Sequence, residues 1–324
     1  MKRQTVIGTR GSRLALAQAE TVAQELARAR PDIDVRLRVI STEGDRVTSG
    51  PLPAWGRGVF VLDIEGALLR GEIDLAVHSL KDVPPEIPDG VAIVAVPRRA
   101  DPADVLVTVD GRGLDDLPHG ARIGTSSLRR AAFLRAYRPD LQIVPVRGNV
   151  DTRWRKLLDP EEGYDALVLA AAGLDRLGLQ DAPRTPVPAA VLLPAPGQGA
   201  LALEGRADDT YHREIAGGIA HPPSAAAIAA ERRLVYELQG GCRLPVAALA
   251  TPQGSDRLWL EAAVASPDGA RVIRHAAEGT LADPEALGGA VARQLLDRGA
   301  ADLLAGLAGT EGAVPLESPV ETPA

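Results

Sequence analysis

The feature that most constrains this fold is an alternation of strand-like and helix-like segments, which runs through the first third of the chain and then begins again. In the first stretch an apolar run at 5–8 precedes Ser12, which can cap a helix. In the second, an apolar run at 121–124 precedes Ser126 and Ser127, either of which can cap the next helix. Two rounds of strand–helix alternation predict an α/β architecture with two lobes built on parallel sheets.

A proline-rich segment and the strand pattern that follows it predict how these lobes are connected. A proline-rich segment at 183–196 ends the second round, and a strand pattern at 199–204 follows. We expect that strand to return to the first lobe, so that the chain crosses between lobes twice. A cleft between hinged lobes commonly holds a ligand.

The predicted domain boundaries follow from this reading. The first lobe comprises residues 1–97 with 199–217, and the second comprises 98–198, with hinge segments near 97–102 and 193–199. Residues 218–308 form a small α+β unit with a helix that starts near Pro222, three strands, and one final helix over about 284–307. The tail at 309–324, which is rich in Pro, Glu and Thr, is predicted to be disordered.

Charge and cysteine content exclude several classes of protein. The net charge of −7 argues against a general nucleic-acid binder, and the single cysteine rules out an internal disulfide or a multi-cysteine metal cluster. The five histidines show no metal-ligand spacing, and neither a P-loop nor a dinucleotide fingerprint occurs. No apolar run approaches the length of a membrane span. These observations predict a soluble cytoplasmic protein.

Basic residues concentrate where an anion site could form. Nine basic and only two acidic residues lie between Arg122 and Lys156. The segment GTSSLRR at 124–130 joins a helix N-terminus to two hydroxyls and two guanidiniums, which suits a carboxylate or a phosphate. Arg147 and Arg153 follow the next strand and should reach the same sheet edge. A capping serine followed by solvated arginines is the alternative reading.

Two further segments carry candidate chemistry. Lys81 and Asp82 follow a strand in VHSLKDVP at 77–84, either as a surface ion pair in a turn or as a charged pair in a cleft, where the carboxylate stabilises a cation or moves a proton. Cys242 lies in a glycine loop after a helix and beside Arg243. It is either an inert small hydrophobe or a nucleophile for covalent attachment.

These motifs together resemble the porphobilinogen deaminase family. The matching segments run in family order across nearly the whole chain, at 7–18, 77–84, 124–130, 146–153, 171–178, 196–200 and 237–242. The resemblance implies two doubly wound lobes similar to type II periplasmic binding proteins and a small third domain that carries the cysteine. It also implies a transferase of tetrapyrrole biosynthesis, which joins four porphobilinogen molecules head to tail, loses ammonia at each step, and releases hydroxymethylbilane with water.

The resemblance also implies roles for individual residues. A dipyrromethane cofactor would be held by a thioether to Cys242, and Asp82 would be the catalytic carboxylate that stabilises the cationic azafulvene. The cofactor-binding residues would be Lys81, Asp82, Thr125, Ser127, Arg129 and Arg130. The substrate-binding residues would be Arg10, Ser12, Arg147, Arg153, Arg176 and Gln198. Burying the many acetate and propionate groups without cations would be prohibitive. No metal, nucleic acid or membrane partner is expected, and the chain is predicted to be a monomer.

Two other functions fit part of the pattern. A solute-binding or sensor module could grip an anion on the same two-lobed fold, but it would need neither Asp82 nor a tethering cysteine, and no secretory signal is evident. A degenerate homologue unable to load cofactor is the other, and the retained motif set argues against it.

Overall fold

The computed structural model describes residues 3–42, 61–239 and 244–308. The predicted tail at 309–324 and the Cys242 loop therefore lie outside the described residues. The strands are β1 (Arg3–Thr9), β2 (Ile33–Val39), β3 (Leu75–Ser79), β4 (Val91–Ala95), β5 (Asp104–Val107), β6 (Arg122–Gly124), β7 (Gln142–Val144), β8 (Ala166–Ala170), β9 (Arg184–Pro186), β10 (Leu201–Arg206), β11 (Val246–Gln253), β12 (Arg257–Ala265) and β13 (Val272–Thr280).

The described segments also contain α-helices, most of which lie between strands in the two lobes. They are α1 (Arg13–Ala29), α2 (Leu62–Leu69), α3 (Leu128–Tyr137), α4 (Val150–Leu158), α5 (Ala171–Arg176), α6 (Thr210–Gly217), α7 (Pro222–Glu237), α8 (Pro284–Asp297) and α9 (Ala300–Ala308). None of the helices in these segments is long and apolar enough to cross a membrane.

Two five-stranded sheets share one layout. The first has the order β2-β1-β3-β10-β4 and the second has the order β7-β6-β8-β5-β9. In each sheet three strands run parallel, and the fourth position holds an antiparallel strand that the chain enters after crossing from the other sheet. This is the predicted pair of doubly wound lobes.

The third unit is a meander of β11, β12 and β13 covered by α7 and α8. Its core is rich in Ala, Leu and Val, as the low aromatic content of 3% requires. A second face of the meander contributes Ala247, Ala263 and Ala265 to the core of the second lobe, so the two units share apolar packing. The predicted small α+β third domain is confirmed.

The structure corrects the predicted final helix and adds elements that the patterns did not show. The helix divides into α8 and α9 because Gly299 adopts a left-handed backbone with φ of 92°, a conformation that ends a helix. The proline-rich connection contains the short strand β9, which pairs with β5. Helices α5 and α6 are too short to show a clear apolar period.

Candidate active site

Two pockets lie at the carboxyl ends of the strands and share Lys81, Asp82 and Arg130 in their walls. The first has a volume of about 250 Å³ and lies between the lobes and the third unit. The second, of about 340 Å³, lies between the two lobes. The shared residues make them two parts of one cleft, which we call the first and second pockets.

A short 3-10 turn places Lys81 and Asp82 in this cleft. It spans Leu80–Asp82 directly after β3. The Leu80 N–H donates to the Ala200 carbonyl at 3.0 Å, and the Leu80 side chain is buried. Upstream, Gln18 Nε2 donates to Ser79 Oγ at 2.8 Å. The start of the turn is therefore fixed to neighbouring elements, and the two charged side chains follow directly from this fixed start.

Lys81 has an unusual electrostatic environment. Burial lowers its pKa to about 8, and the opposing attraction of Asp82 only partly offsets this effect. The guanidiniums of Arg129 and Arg130 lower the pKa further, while Asp104 raises it. A lysine so placed favours the arrival of an additional anion, because a carboxylate beside it would stabilise its charged form.

Arg129 and Arg130 converge on a buried aspartate that the sequence did not single out. Arg129 Nη2 lies 2.7 Å from Asp104 Oδ2, and Arg130 donates to Asp104 Oδ1 from Nε at 2.9 Å and from Nη2 at 2.7 Å. Asp104 is 0% exposed. Arg130 Nη1 donates to the Val168 carbonyl and Arg129 Nη1 to the Leu193 carbonyl. Both arginines are thus held rigidly, with one carboxylate for two positive charges.

Asp104 is the centre of this network. Burial alone would raise its pKa, but the charges and hydrogen bonds of Arg129 and Arg130 together lower it to about 2. Gln198 Nε2 also donates to Asp104 Oδ1 at 3.1 Å and to the Pro102 carbonyl at 2.7 Å. The cluster stays ionised at neutral pH, and its net positive charge faces the first pocket.

The predicted hydroxyl residues serve the backbone. Ser127 caps α3 by accepting from the Arg130 N–H at 3.4 Å, and Ser12 caps α1 by accepting from the Ala15 N–H at 3.3 Å. Thr125 is buried and accepts from the Ser127 N–H at 3.2 Å. Ser12 and Ser127 still line a pocket, whereas Thr125 orients the turn that leads into α3.

The second pocket gathers the other predicted arginines, with one difference. Arg10, Arg153 and Arg176 line it. Burial lowers the pKa of Arg153 to about 10, aided by the charge of Arg130, and burial also lowers the pKa of Arg176 against the attraction of Asp175. Arg147 is exposed and lies outside the walls of both pockets.

Two features of the first pocket were not predicted. Leu244 and Val246, which follow Cys242 closely in the sequence, line it. Arg232 of α7 also lines it, and its guanidinium donates to the Pro85 carbonyl at 2.9 Å, just beyond Asp82. The one sequence feature that could have indicated Arg232 is a basic residue within an alanine-rich helix. For Asp104, it is a charged residue at the start of an apolar strand.

The donor set fits an anionic ligand with several carboxylates. Lys81, Arg129, Arg130 and Arg232 line the first pocket, and Arg10, Arg153 and Arg176 line the second. Asp82 is the one carboxylate among the described residues lining both pockets. A lone carboxylate amid cations can stabilise a positive charge that develops on a bound group, or accept a proton from it.

Comparisons with known proteins agree on one family. A family model described as porphobilinogen deaminase, dipyromethane cofactor binding domain, matches residues 5–214. A second, described as porphobilinogen deaminase, C-terminal domain, matches residues 225–297. Together the two matches extend over both lobes and most of the third unit.

Curated relatives match over nearly the whole chain. The porphobilinogen deaminase of Desulforudis audaxviator is 50% identical over 307 residues, which cover 94% of this chain and 98% of that protein. That of Roseiflexus castenholzii is 47% identical over 307 residues, covering 94% and 100%. That of Geobacter metallireducens is 47% identical over 319 residues, covering 98% and 99%.

Proposed function

The chain belongs to the porphobilinogen deaminase family, and from this premise we propose that it joins four porphobilinogen molecules head to tail and releases hydroxymethylbilane. The observation that carries the proposal is the position of Asp82, a single carboxylate in a cleft lined by cations. Each condensation expels ammonia and leaves a cation on the pyrrole, while the acetate and propionate groups require positive partners.

The cofactor assignment rests on the same donor set. The matched domain is one that binds a dipyrromethane cofactor, and the cations of the first pocket fit its carboxylates. The bound cofactor supplies the primer to which substrate units are added. Residues proposed to hold it are Lys81, Arg129, Arg130 and Ser127, with Thr125 orienting their turn. Cys242 is proposed to attach it through a thioether, supported by its position in the sequence two residues before Leu244, which lines the first pocket.

The second pocket is proposed to bind the incoming porphobilinogen. Arg10, Arg153 and Arg176 supply its positive charge, and Ser12 adds a hydroxyl. Arg147 is proposed to meet carboxylates from the rim, because it is exposed. Gln198 is proposed to act through Asp104, to which it donates a hydrogen bond. Asp82 is proposed to face the pyrrole, since it lies in the wall common to both pockets.

The remaining proposals concern the whole protein. We propose that the domains divide at 97–102 and 193–199, supported by the pairing of β10 with β3 and β4. We also propose a cytoplasmic monomer whose only ligands are small molecules, supported by the net charge of −7 against nucleic acid. Size-exclusion chromatography with light scattering tests the monomer, because a dimer would elute at twice the chain mass of 33.9 kDa.

Two measurements test the function and the attachment. Purified protein given porphobilinogen should consume it, release ammonia and form the linear tetrapyrrole, detected by chromatography. Intact mass should exceed the chain mass by two linked pyrrole units, and the excess should be lost in Cys242→Ala. A protein that binds porphobilinogen without consuming it would instead be a solute-binding module. Full activity in Cys242→Ala with nothing attached would contradict the thioether.

A further inference from the structure

Three titratable side chains are buried together in the first lobe, apart from the arginine network. They are Glu65 on α2, His78 on β3 and Glu204 on β10, with exposures of 3%, 5% and 0%. His78 Nε2 lies 3.3 Å from Glu204 Oε2. Among the described residues, these two atoms and also Glu65 Oε1 and Glu204 Oε1 have no hydrogen-bond partner. Buried polar atoms without a hydrogen-bond partner are costly, so this cluster requires an explanation.

This cluster adjoins the cleft through one member. His78 lines the second pocket together with Asp82, whereas Glu65 and Glu204 stand behind it. His78 is in the same strand that leads into the Leu80–Asp82 turn. The three groups are not arranged as ligands of a metal ion, as no such set of ligands occurs within the described segments. The cluster therefore offers a short path for protons from the cleft into the lobe.

The surroundings of Glu65 bring the pKa of this buried carboxyl close to neutral pH. Burial raises the pKa of Glu65 to about 7, the negative charge of Glu204 raises it further, and His78 opposes them. Of the described elements packed against α2, β3 supplies His78, β10 supplies Glu204 and Arg206, and β1 carries Arg3, while β4 carries no charged residue. Arg232 of α7 interacts with Glu204. The negative charge of Glu204 therefore favours the protonated form of the buried Glu65 carboxyl.

We propose that Glu65, His78 and Glu204 form a proton store behind the cleft, which takes up the proton released in each condensation. The proposal rests on the proposed function. Forming each new C–C bond breaks the C–N bond of the aminomethyl group in its protonated ammonium form, so the electron pair of that bond leaves with neutral ammonia. The accepting pyrrole carbon then loses its C–H proton, and that electron pair returns to the ring. The proton enters through His78 and comes to rest on the carboxylates, leaving Asp82 ionised for the next cation.

Two variants should move the acid side of the pH–kcat profile in opposite directions. In the wild-type protein kcat falls as the pH drops through about 7, because the store is then full. Glu204→Gln removes the charge that repels the Glu65 carboxylate, so the fall should move to lower pH by roughly one unit. His78→Gln removes a group that lowers this pKa, so the fall should move to higher pH. KM should be unchanged in Glu204→Gln, since Glu204 lines neither pocket.

A readout independent of activity is the carboxyl titration itself. Glutamate labelled with ¹³C should show one buried carboxyl that titrates near neutral pH in the wild-type holoenzyme, and Glu65→Gln should remove that signal. Glu72→Gln changes a partly exposed glutamate of the same lobe, paired with Arg70 and Arg38; it is the matched control and should leave both profiles unchanged. The proposed proton store would be contradicted by a wild-type spectrum without this titration. It would also be contradicted if the acid limbs of the pH–kcat profiles of the two variants moved in the same direction or did not move. Failure of the wild-type to consume porphobilinogen would instead overturn the function.

Discussion

Asp82 and Asp104 lie near the same cleft but have different environments. Asp104 is fully buried and shared between Arg129 and Arg130, so its charge is already neutralised. Asp82 is half-buried, lines both pockets and makes no hydrogen bond with another described residue. Of these two aspartates, Asp82 is the one available to a ligand. Residue type alone does not distinguish a ligand-facing aspartate from one that balances buried arginines.

Replacing Asp82 tests its role directly. Asp82→Asn keeps the shape but removes the charge that stabilises the departing-ammonia cation, so kcat should fall on the order of 100-fold or more. The mass of the bound cofactor should persist. Asp89→Asn, an exposed aspartate in the following loop, is the control and should keep normal turnover. Near-normal kcat in Asp82→Asn would reject the role, and kcat is measured by hydroxymethylbilane formation.

Asp104 should matter first for stability. Asp104→Asn leaves two guanidiniums with no buried counter-charge, so the free energy of unfolding should drop by about 3–5 kcal/mol. Denaturant titration measures this drop. Asp110→Asn removes an aspartate from an exposed ion pair with Arg112, and the free energy of unfolding should change far less than in Asp104→Asn. Equal costs for the two variants would show that the buried network contributes no more than a surface pair.

The pKa of Asp104 also predicts a pH dependence of stability. Its folded pKa is about 2, below the ordinary value of 3.8, so the stabilisation is complete above that ordinary value. This stabilisation should be lost as the pH falls from about 4 through about 2, because the carboxylate is then protonated first in the unfolded state and finally in the folded state as well. Unfolding free energies measured across this range should fall more steeply in the wild-type protein than in Asp104→Asn. Parallel slopes would contradict the assignment.

At the scale of elements, much of the fold was predictable. Ser127 does cap α3 and Ser12 does cap α1, because a serine before an apolar period satisfies free N–H groups locally. Strand β9 was missed since its three residues include a proline, and its pairing with β5 is set by tertiary contacts. The types of residue in the site could be predicted from the sequence, but the residues with which each of them pairs could not. Asp104 pairs with residues 25 and 26 positions away, which no local pattern reveals.

Gly197 fixes the position of the Leu80–Asp82 turn. It has φ of 75°, and an added Cβ would lie 2.6 Å from Leu80 Cδ2 and 3.0 Å from the Lys81 nitrogen. Gly197→Ala should therefore push the turn away, lowering kcat at least about tenfold and stability by about 1–3 kcal/mol. Gly254→Ala is the matched control, with φ of 68° in open space, and should cost stability without changing kcat. Unchanged kcat in Gly197→Ala would show that the turn tolerates displacement.

At the scale of the whole molecule, Glu231 joins three parts of the chain. This buried carboxylate of α7 accepts from the guanidinium of Arg99, from the Gly197 N–H at 2.6 Å and from the Ala250 N–H at 2.7 Å. Both crossings between the lobes and the meander of the third unit therefore meet at one side chain. The position of α7, and with it Arg232 in the first pocket, depends on this contact.

Removing that carboxylate should uncouple the third unit. Glu231→Ala leaves Arg99 and two N–H groups buried without their partner, so we expect a loss of about 3–5 kcal/mol and a separate, earlier calorimetric transition for the third unit. Glu237→Ala, from a partly exposed pair with Arg233 on the same helix, should shift the melting curve little. A single transition at the wild-type temperature in Glu231→Ala would contradict this linking role.

The reciprocal placement of β5 and β10 has a consequence for biosynthesis. The first sheet needs β10, its strand between β3 and β4, and β10 is translated only after every strand of the second sheet. During synthesis on the ribosome, the first sheet therefore lacks the strand between β3 and β4 until all strands of the second sheet have been synthesised. The part of the nascent protein that emerges first is thus the second to close, and a chaperone that shields apolar strands would find its target there.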